Sequence, residues 1–447
     1  MTHASAPDAP EADARPLGGR EVQGPRSASS RAISLHQLVR RLAAAALLAC
    51  VPAGCDAVSG LPFGGVAYID AADVSAASRA SGPFGVAIKL PIELGVQNIV
   101  AGAVASPDEV VTYEIGAVEP GDRITVDVVA QDRGFDPAVA VFDGDLDVVH
   151  FNDDRNYFLH NTDPALQYTV RQTTDQCYVV VAPSVHSDST GAYELHVTVS
   201  PSDDVPEPQA QIVYLDMDGA SNVVVGGRAG VEVPAFTGSL IDPSFAGDTD
   251  ELRARMVARV REDYAPYNVT IVTSDDGPPP SNPHSTVYFG SYNPTLLGLA
   301  DSVDTFNGQQ VQRAIVFVDT FSIFMSQQPT LDEMADALGN VASHEIGHLL
   351  GLHHTQDIHG IMDTSASLRQ MLRRQAFSRS PINHDTFAVG FQDGPRTLLA
   401  NLGGDEAAAY AAAAQLLRAK TIDPWYDEGP QFPAREMLQF GSSCGGH

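Results

Sequence analysis

The chain has 447 residues, of which 26 are Lys or Arg and 56 are Asp or Glu, so its formal net charge is −30. Hydrophobic residues make up 44% and charged residues 18%, which fits two or three globular domains and excludes one small domain or a disordered tail. With Lys89 and Lys420 as its only lysines, the chain lacks the cationic patches that bind nucleic acid or anionic lipid.

Two arginines precede a short apolar stretch near the N-terminus. Arg40 and Arg41 abut the apolar residues 42–51, and small residues then lead to Cys55. A positively charged region, an apolar region and a cleavage site with small residues, in this order, predict a secretory signal over residues 1–55. The apolar run is too short to cross a hydrocarbon core of about 30 Å as a helix. Since no other stretch is long and apolar enough, we expect no transmembrane span in the mature chain.

The cysteine at the end of this signal suggests how the mature protein is held. Small residues before a cysteine resemble a bacterial lipoprotein processing site, so Cys55 is the preferred lipidated residue and Cys50 competes with it. Ordinary cleavage with full secretion is the alternative. Either outcome predicts an exported bacterial protein, extracellular or anchored to the cell envelope as a lipoprotein. Residues 56–83, rich in Gly, Ala and Ser, are expected to be flexible.

Residues 84–200 show the spacing of an all-β sandwich. Short alternating or β-branched runs are separated by clusters of Gly, Pro, Asn and Asp. The segment resembles the pre-peptidase C-terminal domain family in the phrases PGDRITVDV, FDPAVAVFD, FNDD and GAYELHV. That family usually accompanies secreted peptidases, which agrees with the signal. The predicted strands are 110–115, 124–129, 138–142, 148–152, 177–182 and 192–199.

Two acidic residues and one cysteine of this segment have candidate roles. Asp153 and Asp154 are candidate calcium ligands, although paired Asp residues in a turn more often cap backbone amides. Cys177 and Cys444 remain after signal cleavage, and they either form one disulfide or stay free thiols.

The pattern changes after a Pro-rich, acidic linker at 201–209. Strands then alternate with helices, which predicts an α/β layer architecture over 210–420, followed by a tail over 421–447. Residues 313–319 hold the nearly continuous apolar run of a buried central strand. The other predicted elements are strands at 211–215, 268–273 and 285–290, a helix at 250–264 capped by Asp248 and Glu251, and a turn formed by Asp216 and Asp218, with calcium binding as its minor alternative.

A long helix begins at Thr330, which forms a capping box with Glu333. Apolar residues recur behind it at helical spacing, and the helix carries HEIGHLLGLHH, residues 344–354, which matches HExxHxxGxxH. His344 and His348 are four residues apart, so their side chains point only about 40° apart on one face. Two imidazoles can therefore meet one metal ion.

Gly351 allows a third imidazole to return to that ion. A glycine accepts the left-handed conformation that ends a helix, and the chain can then bring back His354. Three neutral imidazoles leave one tetrahedral position open, as in catalytic zinc sites. Glu345 lies beside these ligands and can take a proton from water, whose pKa zinc lowers from 15.7 towards about 7.

With these residues the sequence resembles the metzincin clan of zinc endopeptidases. In the run HTQDIHGIM, Met362 stands eight residues after His354, which is similar to the Met-turn spacing of the matrixin branch, with Asp357 in the connecting loop. Thr355 departs from the residue types that commonly follow the third histidine, which leaves the branch open. The resemblance implies a multidomain fold class: an all-β sandwich, then an α/β (α+β) zinc peptidase domain with a twisted mixed sheet and an active-site helix.

The resemblance also assigns segments around the cleft. Residues 298–303 would form an exposed edge strand that pairs with an extended substrate peptide. The segment after Met362 would form the wall of the pocket for the first residue beyond the cut. The later helix of the clan would be either 405–420 or 366–377.

Three other histidines lie near the motif without an assigned role in the chemistry. His353 adjoins His354 and is expected to support the ligands or to be exposed rather than to bind the metal. His359 and His384 are expected at the surface or in the cleft.

Together these features predict a zinc-dependent endopeptidase that cleaves extracellular proteins, with Ca²⁺ as a candidate second cofactor. The substrates would be proteins or peptides, and no nucleic-acid partner is expected. The alternative is a catalytically silent cell-surface protein that binds a matrix through its acidic β-sandwich. A structural metal site needs no Glu345, so the complete motif favours the enzyme. The sequence carries no signal for an oligomeric state.

Overall fold

Alternation along the strands explains how the first part of the chain folds. The computed structural model describes residues 66–69, 75–79, 86–156 and 160–422. In β11 (Gly191–Ser200) every second side chain is buried, including Tyr193, Leu195 and Val197, so one face packs on a core. Strands β1–β11 form two sheets around that core, which confirms the β-sandwich. The others are β1 Val66–Tyr68, β2 Ser75–Arg79, β3 Val86–Lys89, β4 Gln97–Val104, β5 Val111–Val118, β6 Arg123–Ala130, β7 Pro137–Phe142, β8 Val148–Asn152, β9 Ala165–Thr169 and β10 Thr174–Pro183.

The two sheets of the sandwich are mainly antiparallel. One has the strand order β1-β4-β11-β6-β9 and the other β2-β3-β5-β10-β7-β8. Strands β1 and β2 lie within 56–83 and pair with β4 and β3, respectively. Cys177 is a buried free thiol. The signal region with Cys50 and Cys55, and also Cys444, lie outside the described residues.

Strand β7 is buried on both faces, unlike a sandwich strand with one wet side. Val139 and Val141 point into the sandwich core, whereas Phe142 on the opposite face packs with Ile382 and Phe387 from the second half of the chain. The sequence of β7, PAVAVF, agrees with burial of both faces, because a strand with one solvent-exposed face would alternate apolar and polar residues. The described residues accordingly fall into one compact unit.

The second half of the chain is built on a mixed five-stranded sheet of order β15-β12-β16-β18-β17. Its first four strands are parallel, and β17 runs antiparallel at the edge. Two strand pairs lie outside this sheet, β13 with β14 and β19 with β20. The strands are β12 Gln211–Asp216, β13 Ala220–Val225, β14 Arg228–Val233, β15 Val269–Thr273, β16 Ser285–Phe289, β17 Gly298–Ala300, β18 Arg313–Val316, β19 Arg379–Pro381 and β20 Phe391–Asp393.

Two long helices pack against this sheet. Their apolar side chains and those of β12, β16 and β18 form one core, in which Met256, Leu338 and Val341 are at most 1% exposed. The described helices are α1 Thr249–Tyr264, α2 Leu331–Leu349, α3 Leu368–Met371, α4 Gly394–Leu402 and α5 Glu406–Ile422, with 3-10 segments at Gly238–Leu240, Pro243–Phe245 and Val318–Gln327. None of them has the length and apolar character needed to cross a bilayer.

The structure corrects several details of the sequence prediction. Asp248 stands at the N-cap of α1 but makes no side-chain capping bond, and Glu251 contacts Arg255 instead. The apolar run at 313–319 is a strand only as far as Val316, because Val318 begins a 3-10 segment. Of the two alternatives for the later helix, 405–420 is helical, whereas 366–377 contains only the short α3.

Candidate metal centre

The first two histidines of the motif lie on a helix that is fixed at both ends. The Thr330 hydroxyl accepts a hydrogen bond from the Glu333 amide at 3.3 Å, and the Glu333 carboxylate accepts one from the Thr330 amide at 2.9 Å, which confirms the capping box. From Met334 to Leu349 nearly every residue of α2 is buried. Within this rigid segment the rings of His344 and His348 lie 4.7 Å apart between centroids, at an angle of 84°.

Gly351 turns the chain immediately after this helix. Its φ is +100°, and a Cβ atom there would lie 2.8 and 2.9 Å from the carbonyl oxygens of Asp304 and Thr305. Only glycine fits such a position without strain. The Asn401 side chain donates to the Leu350 carbonyl at 2.8 Å, which satisfies one of the open groups at the helix end. The reversal brings His354 back towards α2, as the glycine in the motif predicted.

The three imidazoles converge on one point. The Nε2 atom of His348 lies 3.1 Å from the Nε2 atoms of both His344 and His354. Within the described residues, these three histidines form the one group of three or more His, Cys, Asp or Glu side chains close enough to share an ion. No such group includes Asp153, whose carboxylate accepts a hydrogen bond from the Ser184 hydroxyl at 3.0 Å.

The hydrogen bonds of the rings decide which nitrogen faces the centre. His344 Nδ1 lies 2.7 Å from the Ile361 carbonyl oxygen, and His348 Nδ1 lies 2.7 Å from that of Leu352. A carbonyl oxygen only accepts, so both Nδ1 atoms carry the proton and both Nε2 atoms present lone pairs. Burial lowers the pKa of His348 to about 4 and those of His344 and His354 well below 6.5, which keeps the rings neutral. Lone pairs held this close repel each other unless a cation lies between them, so the donor set fits zinc.

Glu345 places a carboxylate beside this centre. It is 2% exposed, and its Oε2 atom has no hydrogen-bond partner within the described residues. Burial raises the pKa of this carboxyl group well above 4.5. Its Oε1 atom lies against Gly298 of β17, where any Cβ atom would overlap the carboxylate. A glycine in the edge strand therefore makes room for Glu345 between the histidines and that strand.

Met362 packs beneath α2. It is 4% exposed, and a Cβ atom on Gly347 would lie only 2.6 Å from its sulfur. The Met362 carbonyl accepts a hydrogen bond from the Thr355 amide at 2.8 Å, and the preceding residue, Ile361, is the acceptor for His344. The turn thus supports His344 through packing on α2 and through one hydrogen bond.

The edge strand and one histidine differ from expectation. Leu299 and Ala300 are 2% and 1% exposed, so β17 lies at the sheet edge as predicted but is not exposed. The reason is the β13–β14 pair, whose Val223 and Val225 pack on Leu299. His359 is buried rather than superficial, whereas His384 is exposed.

His353 is buried at 9% exposure, and its ring stands 4.6 Å from that of Phe151 in β8. It lies outside the three-histidine group, as expected. Its backbone is held by Gln392, a residue that the sequence analysis missed: the amide of His353 donates to Gln392 Oε1, and Gln392 Nε2 donates to the His353 carbonyl, both at 2.8 Å. In the sequence, Gln392 stands out only as a glutamine between two turns that are flanked by apolar residues. That signal is too weak to identify its role.

The buried centre has two histidines on one helix and a third after a glycine turn, and it packs under a mixed sheet with an antiparallel edge strand. This is the arrangement of a zinc metallopeptidase of metzincin type, here preceded by a β domain. A family model described as Matrixin matches residues 138–378, from β7 of the sandwich to the residue before β19. The match covers just over half of the sequence, so the chain belongs to the matrixin family.

Solved structures that match parts of this chain include two peptidases and one β domain. Archaemetzincin from Methanopyrus kandleri is 16% identical, with 38% of this chain and 91% of that chain covered at a TM-score of 0.23. A zinc-dependent peptidase from Methanocorpusculum labreanum is 15% identical, with coverage of 37% and 94% and a TM-score of 0.22. The pre-peptidase C-terminal domain of collagenase from Bacillus anthracis is 12% identical, with coverage of 31% and 100% and a TM-score of 0.19. No curated protein matches the chain.

Proposed function

We propose that this zinc metallopeptidase is an endopeptidase in which Glu345 is the general base. The observation that carries the proposal is the unpartnered, buried carboxylate of Glu345 between three converging imidazoles and the edge strand. A carboxylate that served only packing or stability would be expected to have hydrogen-bond partners, because burying it without them is costly. This feature also disfavours the alternative of a silent adhesion protein.

His344, His348 and His354 would hold the zinc ion through Nε2. Zinc bound there would polarise the scissile carbonyl and make a water molecule acidic near neutral pH. Glu345 then takes the proton from the attacking water and later delivers it to the leaving amine. The hydrogen bonds of His344 and His348 to backbone carbonyls hold both rings in the tautomer that this chemistry needs.

The edge strand supports binding of an extended peptide. The Asp301 backbone amide donates to the Arg313 carbonyl, and the Phe317 backbone amide donates to the Leu297 carbonyl. The backbone groups of residues 297, 299 and 301 therefore face β18. The backbone groups of Gly298 and Ala300 therefore point away from the sheet. A Cβ atom on Gly226, in the turn between β13 and β14, would lie 3.2 Å from the Ala300 carbonyl oxygen, so that turn covers one end of the edge. A peptide would therefore pair with β17 at Gly298, beside Glu345, and its residues on either side of that contact would be unconstrained. Such binding along the middle of a chain favours endopeptidase over exopeptidase activity.

The location of the enzyme is a second part of the proposal. The apolar run before Cys55 supports export, either as an envelope lipoprotein anchored at Cys55 or as a fully secreted enzyme that acts on extracellular proteins. Expression of the native chain and of Cys55→Ser in a bacterial host, followed by fractionation, separates the two: loss of the membrane-bound form in the variant supports anchoring. Equal membrane retention of both proteins would contradict Cys55 as the anchor.

Glu345→Gln tests the proposed base, because it keeps the size of the side chain and removes its basicity. We expect kcat for a fluorogenic peptide to fall by about 10²–10⁴-fold while the zinc content stays at one per chain. Glu262→Gln is the matched control, since Glu262 is half exposed and pairs with Arg374 at 2.9 Å on the surface. Undiminished hydrolysis by zinc-loaded Glu345→Gln would refute the assignment. Cleavage-site profiling with the native enzyme, with and without a chelator, checks for internal cuts.

A further inference from the structure

The third ligand is held differently from the first two. His344 and His348 have Nδ1 bonded to a backbone carbonyl, whereas His354 has no such bond within the described residues. Its loop is instead held through the backbone. Gln392 both accepts from and donates to the His353 peptide groups at 2.8 Å, and the Asn383 amide donates to the His354 carbonyl at 2.9 Å. A side-chain amide bonded at both atoms to one residue fixes the orientation of that backbone, and with it the next residue.

Gln392 itself is fixed by the β-sandwich. It is the central residue of β20, where it pairs with Ser380 of β19. On the sandwich side, the Phe391 amide donates to the Leu146 carbonyl at 3.2 Å, and Asp147 forms a parallel bridge with Phe391. The loop between β7 and β8 thus continues the hydrogen bonding of the strand that carries Gln392.

Ion pairs secure the same contact on both sides of β20. The buried carboxylate of Asp147 lies 2.8 Å from Arg379 Nε in β19 and also contacts the guanidinium of Arg396 in α4. Arg396 pairs with Asp143 as well, at 2.7 Å. Of these groups the Asp147 carboxylate is buried, whereas Arg379 and Arg396 are 39% and 23% exposed. Losing the arginines would leave a buried carboxylate uncompensated, so these contacts resist separation.

Aromatic packing completes the contact between the sandwich and the ligand loop. Phe142 lies against Gly390, and its ring centroid is 5.9 Å from that of Phe387. The ring centroid of Phe151 in β8 lies 6.1 Å from that of Phe387 and 4.6 Å from that of His353. This is the reason that β7 is buried on its second face. The sandwich contacts the residue before the third ligand directly and the strand of Gln392 through β7–β8.

We propose that Gln392 is a positioning residue for His354, and that the β-sandwich, through Asp147 and β20, sets the geometry of the third zinc ligand. The sandwich then helps to set the geometry of the metal centre, rather than being an independent domain joined to the peptidase. The inference rests on the proposed function only in that His354 binds the ion. It concerns metal affinity and ligand geometry, which are measured without turnover.

The test uses full-length protein and two readouts of the site: zinc affinity by competition with a chromophoric chelator, and the visible absorption spectrum of the cobalt(II) form. Gln392→Met keeps the length of the side chain and removes both hydrogen bonds. We expect zinc to bind 10–100-fold more weakly, as is usual when a residue that orients a ligand is lost, with a changed cobalt spectrum. Gln211→Met is the matched control. Gln211 is also 2% exposed and hydrogen-bonded, but to Ile212, Ser285 and Gln310.

A double-mutant cycle tests the part played by the sandwich. Asp147→Asn removes the charge that holds Arg379 and Arg396, and we expect it to weaken zinc binding by about 3–10-fold, less than Gln392→Met because it acts at one remove. If it acts through Gln392, its effect is smaller in the Gln392→Met background than in the native one. Asp145→Asn is the control. Asp145 is 77% exposed, and its contact with Arg396, at 3.5 Å, is longer and weaker than the ion pairs of Asp147.

The outcomes separate this inference from the proposed function. If the native chain takes up neither zinc nor cobalt, the metal site itself is refuted. If the native chain binds metal and Gln392→Met binds it equally well with the same spectrum, the positioning role is overturned while the enzyme assignment stands. Additive effects of the two substitutions would refute the route through the sandwich. Should Gln392→Met fail to unfold cooperatively, Asp147→Asn decides, and unchanged affinity in that variant refutes the inference.

Discussion

The metal centre has a helical side and a loop side, and the two depend on residues at different separations in the sequence. His344 and His348 lie on one capped helix, and their separation follows from its pitch. His354 lies in a loop whose position depends on Gly351, Asn383 and Gln392, the last of which is tied to the sandwich. The helical side is therefore determined within about twenty residues, whereas the loop side needs residues from both halves of the chain. Perturbing one side and then the other shows how far this division holds.

The largest effect is expected from the helical side. His348→Ala removes the imidazole whose Nε2 lies 3.1 Å from both other Nε2 atoms. We expect the bound zinc to be lost and kcat/KM to fall by at least about 10³-fold, since the metal supplies several kcal/mol of transition-state stabilisation. Metal analysis of the dialysed protein and peptide hydrolysis measure both.

His384→Ala provides the control, because His384 is exposed and lies in the same half of the chain. It should retain one zinc per chain and native turnover. A His348→Ala protein that keeps stoichiometric zinc and full activity would mean that the convergence of the three rings has no part in metal binding.

The junction between the two sides is tested by Gly351→Ala. We expect the free energy of unfolding to fall by about 2–4 kcal/mol, because a left-handed alanine is strained and its Cβ would press on two backbone oxygens. Zinc affinity should fall too, since relief of the overlap moves His354. Urea unfolding of the metal-free protein gives the first quantity.

Gly227→Ala separates strain from overlap. Gly227 also has a positive φ, +70°, but no atom lies within 4 Å of a Cβ there. We expect a loss of about 1–2 kcal/mol from the backbone alone. If both variants lose equal stability, the carbonyls of Asp304 and Thr305 do not confine the turn.

The sequence predicted the helical side well and the loop side poorly, for a physical reason. The capping box, the spacing that brings His344 and His348 together and the need for a glycine at 351 are local, and the structure has all three features. The same holds for most strands of the sandwich, because alternation marks them one at a time. Gln392 has no local mark: its role comes from a pairing with a backbone 39 residues earlier.

Contacts between the halves were missed for the same reason. The strand at 138–142 was predicted, but its second buried face follows only if another segment covers it, and the sequence does not say which one does. The expectation of an exposed edge strand failed because β13 and β14, which lie far before it in the chain, fold over it. Element type is a local property, whereas exposure depends on the partners that long-range folding brings.

A pH experiment extends the comparison to the sandwich itself. His150 in β8 lines a cavity of about 220 Å³ between the two halves, together with His353 and Arg396. Burial lowers the pKa of His150 from 6.5 to about 4. The unfolded chain therefore takes up this proton first, and the contribution of His150 to stability is lost as pH falls from about 6.5 towards 4. Between pH 7 and pH 5 we expect this group to cost about 2 kcal/mol.

His150→Phe should remove that part of the slope. Urea unfolding at pH 7, 6 and 5 compares the variant with the native protein, and the difference between the two at each pH isolates His150 from the other buried histidines. The same substitution at the exposed His384 is the control. An identical slope in native protein and His150→Phe would show that His150 is solvated and that the cavity does not seal it from water.

The smallest expected effect returns to the helical side. Thr330→Ala removes a capping hydroxyl that accepts from the Glu333 amide, and we expect a loss of about 1 kcal/mol in the free energy of unfolding. Zinc affinity and kcat should stay unchanged, because the remaining core contacts of α2 still fix His344 and His348. Asp248→Ala is the matched control: it occupies the N-cap of α1 without a side-chain capping bond, so its loss should stay below about 0.5 kcal/mol. A shift in zinc affinity on Thr330→Ala would mean that the helix transmits strain from its first turn to the ligands, and that the helical side is less rigid than its burial implies.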